Sequence, residues 1–199
     1  GHGPQAVRLA EAAVTECARP DPILRARLLG REATAAAADG DLARFRRCAD
    51  QAATLLDRAQ PQGAPSFLYY LTPEQLAAET GQGLLALAER TTTSSNRLLI
   101  EAVDVLTGSV TTMGTVTDGG RPRYARSGLL HTTFLARSQL LRGDLDQAVD
   151  TMRSALRLLP LVQSPRGRTY LRNLRPALTR RSRSQVVREF LPEFDAASS

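Results

Sequence analysis

The side chains able to do acid–base, nucleophilic or metal chemistry are few and scattered. There are two histidines: His2 at the very start, and His131 in a helical pattern beside Leu129, Leu130 and Phe134. That setting suits a packed, hydrogen-bonded histidine, with a ligand contact as the alternative. Cys17 and Cys48 also fall in helical patterns and read as small buried hydrophobes in a reducing cytoplasm. No His, Cys and carboxylate group has metal-ligand spacing, and no Ser-His-Asp or Cys-His arrangement can be motivated. Carboxylates such as Glu11, Glu16, Asp57 and Asp150 read as solvated helix faces. All 26 basic residues are arginine, which excludes a phosphate loop of the G-x-x-x-x-G-K-[ST] type. Together these features predict a protein that is not an enzyme and takes no metal or cofactor.

What chemistry remains is that of arginine. Eight arginines lie between positions 166 and 188. Leu171, Leu174 and Leu178 form an apolar stripe there, and Arg168, Arg172 and Arg175 line the opposite side. With Arg180, Arg181 and Arg183 they make a basic patch that could meet phosphates or an acidic surface; a solvated end helix is the plainer reading. Tyr69, Tyr70 and Tyr124 flank loops, as core edges or as the rim of a groove.

The elements that must position these residues are helical. Ala and Leu dominate, aromatic residues make up 5% of the chain, and Trp is absent, a composition that favours helix over strand. Abundant Ala, Gly, Pro and Arg suggest a GC-rich genome, so part of the net charge of +6 reflects codon usage. No apolar run reaches the roughly 20 residues needed to span a membrane, and a cytoplasmic setting is expected. The opening Gly1-His2-Gly3 reads as a tag remnant within residues 1–4. Residues 5–199 then form one domain, a C-terminal fragment of a longer protein.

Periodicity and capping signals predict helices over 4–18, 22–39, 41–58, 73–90, 96–106, 122–142, 144–159, 165–179 (kinked at Pro176) and 185–191. Asp21-Pro22 and Thr72-Pro73 each pair an N-cap with a proline at the first helical position. Gln75 is placed to complete a capping box with Thr72. Residues 59–66 and the polar, Gly-rich stretch 107–121 read as loops, and no strand is evident.

One segment, "LTPEQLAAETGQGLLALAER" (71–90), resembles in its first half the opening of a helix-turn-helix DNA reader. The resemblance fails after Gly81. Gln82 stands where an apolar residue is usual, and Leu84 to Ala88 offer no hydrogen bonds to base edges. Leu76, Thr80, Gly83, Leu84 and Leu87 continue one stripe through the supposed turn, so the segment reads as scaffold.

Two Gly-Asp-Leu turns, at Gly40-Asp41 and Gly143-Asp144, belong to similar units. The second resembles a tetratricopeptide repeat. Ala136 stands where the first helix needs a small residue, Gly143 at the turn, Ala148 and Ala155 where the second helix meets the first, and Pro160 at its end. In the first unit Phe45 replaces the expected alanine and Ala52 follows seven residues on. The expected fold is all-α, a tetratricopeptide-like right-handed superhelical array of antiparallel helix hairpins. By analogy with such arrays, Arg27, Arg31, Thr34, Thr133 and Arg137 would face the groove, with Tyr69, Tyr70, Tyr124 and His131 near it.

The phrases "LYYLTPEQLAAETGQGLLALAER", "YARSGLLHTTFLARSQLLRGDLDQAVDTMRSAL" and "SPRGRTYLRNLRPAL…VVREFL" together resemble the C-terminal half of actinobacterial, Streptomyces-type helix-turn-helix (XRE-like) transcriptional regulators. The resemblance covers roughly residues 20–195 and rests on packing motifs. It implies a regulatory domain that senses, dimerises or receives a signal, with the DNA reader outside this chain. Its partner would be a protein, a peptide or a small-molecule effector, and the open ends of an array leave room for a homodimer. A free-standing adaptor that docks protein partners is the alternative, and nucleic-acid binding through the Arg-rich C-terminus is a third reading.

Overall fold

The computed structural model describes residues 3–16, 21–59, 66–93, 95–115, 117–118, 121–122, 124–162 and 165–198. These divide between two compact units, Gly1–Glu101 and Ala102–Ser199.

The first unit begins with α1 (Gly3–Glu16), α2 (Pro22–Asp39) and α3 (Leu42–Arg58). Asp21 caps α2 as its sequence predicts: its Oδ1 accepts from the N–H of Ile23 at 2.8 Å and of Leu24 at 3.3 Å. Gly40 closes α2 in the left-handed region, φ 91°, where a Cβ would be strained. Asp41 then caps α3 through the N–H of Arg44 at 2.9 Å. A short 3-10 turn, Ser66–Leu68, leads into α4 (Pro73–Arg90). Leu68 and Leu71 anchor that lead-in on Ile23. α4 packs against both α2 and α3, as the next hairpin of an array does.

α4 runs unbroken through Gly81 and Gly83 for 18 residues, so the segment contains no helix-turn-helix. Thr72 caps it, its Oγ1 accepting from the N–H of Gln75 at 3.2 Å. The expected reciprocal half of the capping box is replaced. The Thr72 N–H donates to the Tyr70 carbonyl at 3.0 Å, and the Gln75 amide nitrogen donates to Glu79 at 3.0 Å.

The fifth helix, α5 (Ser95–Thr115), corrects the expected loop at 107–121. Gly108 and Gly114 made the stretch read as a breaker, yet a Cβ at either would meet nothing within 4 Å. Leu106, Ser109 and Met113 are all buried at helical spacing. That burial outweighs a penalty of about 1 kcal/mol per glycine. Thr117–Asp118 (β1) and Arg121–Pro122 (β2) then pair antiparallel, a two-residue ribbon that periodicity could not announce.

The second unit holds α6 (Ala125–Arg142), α7 (Leu145–Leu158), a 3-10 turn at Leu159–Leu161, α8 (Pro165–Arg172), α9 (Arg175–Arg180) and α10 (Gln185–Ser198). The helix expected over 165–179 is in fact two. It breaks at Asn173-Leu174, and Pro176 sits in the first turn of α9, where its missing N–H has no helical acceptor to lose. The last helix is longer than expected. Pro192 lies inside it, and it persists because Phe190 and Phe194 on either side are fully buried and stack edge-on, 5.8 Å apart. One core joins α6, α7 and α8 to α10, with Leu129, Ala148, Met152, Leu171 and Phe190 among its members.

Candidate functional site

In the first unit α2 and α4 bring together a polar group centred on Arg27 and Glu79. Arg27 of α2 is 6% exposed. Its Nη1 donates to both carboxylate oxygens of Glu79 in α4, at 3.0 and 2.7 Å. Glu79 also accepts from Gln75, one helical turn back. The Tyr70 ring stands over the guanidinium at 5.7 Å, and Arg27 Nη2 is buried without an acceptor. A buried charge requires such a partner, because desolvation would otherwise be prohibitive.

Beside Glu79 opens a small, shallow cleft with room for about one water molecule, lined by Gly30, Ala33, Thr34, Phe45, Ala49, Leu76, Glu79 and Thr80. Gly30 keeps it open: a Cβ there would stand 3.1 Å from Leu76 Cδ1. The Thr34 and Thr80 hydroxyls donate to the carbonyls of Gly30 and Leu76 in their own helices, at 2.9 and 3.1 Å. Their remaining lone pairs can still accept. The cleft therefore offers an apolar floor, hydroxyl acceptors and a neutralised carboxylate.

Next to it, the hook Phe67-Leu68-Tyr69-Tyr70 turns two aromatic rings outward: Phe67 is 64% and Tyr69 76% exposed. Tyr69 and Tyr70 meet edge to face at 5.9 Å. Through Tyr70, Arg27 and Glu79 the hook is connected to the cleft wall by one chain of contacts.

Of the residues expected to line a groove, Arg27, Arg31, Thr34, Tyr69 and Tyr70 lie in the first unit and Tyr124, His131, Thr133 and Arg137 in the second. Arg31 and Thr34 are exposed on α2. Arg27 is taken by Glu79 rather than left for a ligand. His131 and Thr133 are both 2% exposed, and Thr133 donates to the Leu129 carbonyl at 2.7 Å. His131 thus has the burial of a packed histidine. Tyr124 and Arg137 are half-buried at and within α6. Glu79, Gln75 and Phe67 escaped sequence reasoning. The i, i+4 spacing of Gln75 and Glu79 was a usable signal, whereas the Arg27 partner lies 52 positions away.

The basic patch splits in two. Arg175 holds Asp195 of α10 with two bonds, 2.5 and 2.8 Å, and also contacts the Thr179 hydroxyl. Arg172 donates to the Ser198 carbonyl at 2.9 Å. The Arg175 guanidinium holds the Asp195 carboxyl below its ordinary range. Arg168 is exposed on α8, and Arg180, Arg181 and Arg183 are exposed at the end of α9.

Other ion pairs are structural. Arg44 of α3 bridges Glu32 of α2, at 2.7 Å, and Glu11 of α1. Arg46 pairs with Glu101 at 2.8 Å. Cys48 is buried with a free thiol; burial and the nearby Glu32 push it up to about 11. Cys17 lies outside the described residues. Among the described residues, no group of three His, Cys, Asp or Glu is placed to hold a metal, and no helix is long and apolar enough to cross a membrane.

The packing positions behave as the repeat pattern requires. Ala136, Ala148 and Ala155 are completely buried, Gly143 adopts φ 92°, and Pro160 lies in the 3-10 turn after α7. The fold is tetratricopeptide-like. Over 99% of its length the chain superposes on 87% of a variant of a Podospora anserina protein, described as a kinesin light chain with nearly identical TPR-like repeats, with TM-score 0.62 and 19% identity. No protein-family model and no curated protein matches the chain.

Proposed function

We propose that this chain is a protein-docking module and, more specifically, the regulatory part of a transcription regulator whose DNA reader lies outside residues 1–199. The observation that supports docking is the cleft at the junction of α2, α3 and α4, with an apolar floor and hydroxyl acceptors, connected to an outward-facing Phe67 and Tyr69. Exposed aromatic residues beside a concave, mixed-polarity surface suit a peptide or a partner loop. The regulator context rests on the resemblance of 68–90, 124–156 and 164–191 to such proteins.

A two-hybrid screen of genomic fragments against the chain tests the docking arm. Partners should be lost with Thr34→Arg or Thr80→Arg, which fill the cleft, and kept with Arg97→Gln on α5. Partners indifferent to both cleft variants would move the docking face elsewhere. The regulatory arm is tested separately, by chromatin immunoprecipitation of the full-length protein from its host. Absence of discrete genomic occupancy would remove that arm and leave the adaptor reading.

A further inference from the structure

The turn between α9 and α10 concentrates positive charge with no internal use. Residues 166–188 contain eight arginines and no Asp or Glu. The fold engages some of them: Arg172 with Ser198, Arg175 with Asp195, and Arg166 stacked on Tyr170 at 5.4 Å. The acids that follow are also occupied, Glu189 by Gln185, Glu193 by Arg153, and Asp195 by Arg175. Arg180, Arg181, Arg183 and Arg188 are left exposed.

Their backbone is held. Arg181 N–H donates to Leu178 O at 2.9 Å, Ser182 to Thr179 at 3.2 Å and Ser184 to Arg181 at 2.9 Å, so three backbone turn bonds hold the chain from which the side chains emanate. Arg188 belongs to the first turn of α10, which carries no acid. A cation there opposes the helix dipole, and the Arg188 N–H itself donates to the Ser184 carbonyl at 3.0 Å. Four exposed arginines around one helix start raise the local positive potential, which favours an anion.

From this geometry we infer that the α9–α10 turn binds the phosphate backbone of a nucleic acid without reading its sequence. Arginine forks match phosphate oxygens. Phe190, the aromatic residue next to the turn, is fully buried, so no ring on α10's first turns is offered for base stacking. An acidic protein segment would also meet the charge, but such an interface needs an apolar anchor at its centre, and the exposed side chains of 180–185 are all polar. This surface is independent of the docking cleft.

The test is fluorescence anisotropy of the full chain with a 20-base-pair duplex of arbitrary sequence, across a salt series. Four phosphate contacts give a slope of log K on log salt of about −3.6, at ~0.9 per contact. Between 50 and 200 mM salt that is a loss of roughly 150-fold. Replacing Arg180, Arg181, Arg183 and Arg188 by Gln should flatten the slope to near zero, and replacing them by Lys should preserve it. Replacing four exposed arginines elsewhere (Arg8, Arg25, Arg47 and Arg58) by Gln changes net charge equally and should leave the slope in place. Equal losses in both Gln variants, or no binding at 50 mM salt, overturn the inference. Competition by polyglutamate of matched charge as strong as by the duplex would also overturn it, in favour of an acidic protein partner. Because all four side chains are exposed, the circular dichroism melt should be unchanged.

Discussion

The hairpins at Gly40-Asp41 and Gly143-Asp144 share a left-handed glycine turn and solve the problem of close helix approach in opposite ways. In both, the Asp N–H reaches five residues back, to Ala36 O at 2.9 Å and to Gln139 O at 3.0 Å. Beyond the turn they diverge. In the first, Phe45 and Ala49 occupy two successive turns of the inner face; in the second, the equivalent positions are Ala148 and Met152. The bulk has moved by one helical turn. Phe45 fits because a third helix yields: a Cβ on Gly83 of α4 would stand 2.3 Å from Phe45 Cε2. The requirement for a small residue therefore belongs to a pair of facing positions, and either partner can meet it.

That comparison is broken hardest at Phe45. Phe45→Ala should destabilise the chain by about 3–5 kcal/mol through the cavity it leaves, measured by urea denaturation. Gly83→Ala should cost about 1–3 kcal/mol by overpacking, despite its better helix propensity. If the two residues answer each other, the double variant costs clearly less than the sum, since the new methyl enters the space the ring vacates. Strict additivity would refute the pairing.

The two units also differ in where they keep their main cross-helix ion pair. Arg27–Glu79 is buried, with side chains 7% and 13% exposed, whereas in Arg175–Asp195 they are 39% and 48% exposed. Glu79→Gln leaves the buried Arg27 charge uncompensated and should cost about 3 kcal/mol. A melting midpoint unmoved by that change would show the pair to be dispensable.

The turns themselves come next in size. Gly40→Ala and Gly143→Ala force a side chain to φ near +90° and should each cost about 1–2 kcal/mol. Gly143 has open space around it and a Cβ at Gly40 would meet only the exposed end of Arg90, at 3.3 Å, so the two variants should cost alike in thermal denaturation.

The smallest effect lies at Asp195→Asn. The Asp195 carboxyl is held low by Arg175, so its contribution is present above the unfolded carboxylate value and is lost as pH falls through the folded one. The protection factors of amides across α10, taken against the intrinsic exchange rate at each pH, should fall on acidification in the native chain, and the asparagine variant should lack that acid-dependent step. The surface pair otherwise leaves the neutral-pH melt unmoved.

Much of this was written in local sequence. Asp21-Pro22, Gly40-Asp41, Thr72-Pro73 and Gly143-Asp144 set helix ends within a residue or two, because caps and left-handed glycines act over one turn of chain. The small residues Ala136, Ala148 and Ala155 announced a hairpin because close approach constrains size directly. Where local signals pointed the wrong way, burial decided. Gly108 and Gly114 did not stop α5, Pro192 did not stop α10, and 165–179 broke at Asn173 rather than bending at Pro176. In each place a few tenths to a few kcal/mol of propensity gave way to side chains such as Leu106, Met113, Phe190 and Phe194 finding a core.

The candidate site was less legible still. Arg31 and Thr34 were expected at a groove by analogy with repeat arrays and Tyr69 at a core edge or a groove rim, but the cleft depends on Gly30 meeting Leu76 and on Arg27 finding Glu79. The basic C-terminus was visible as composition alone; only the return of α10 divided it into arginines that hold the fold and arginines that face solvent. Sequence determined the helices, their turns and the sign of the charge, since these follow from interactions a few residues apart. Partners between helices, and therefore which charges remain available, were decided by the tertiary structure, because a contact between residues 52 positions apart leaves no periodic trace in either segment.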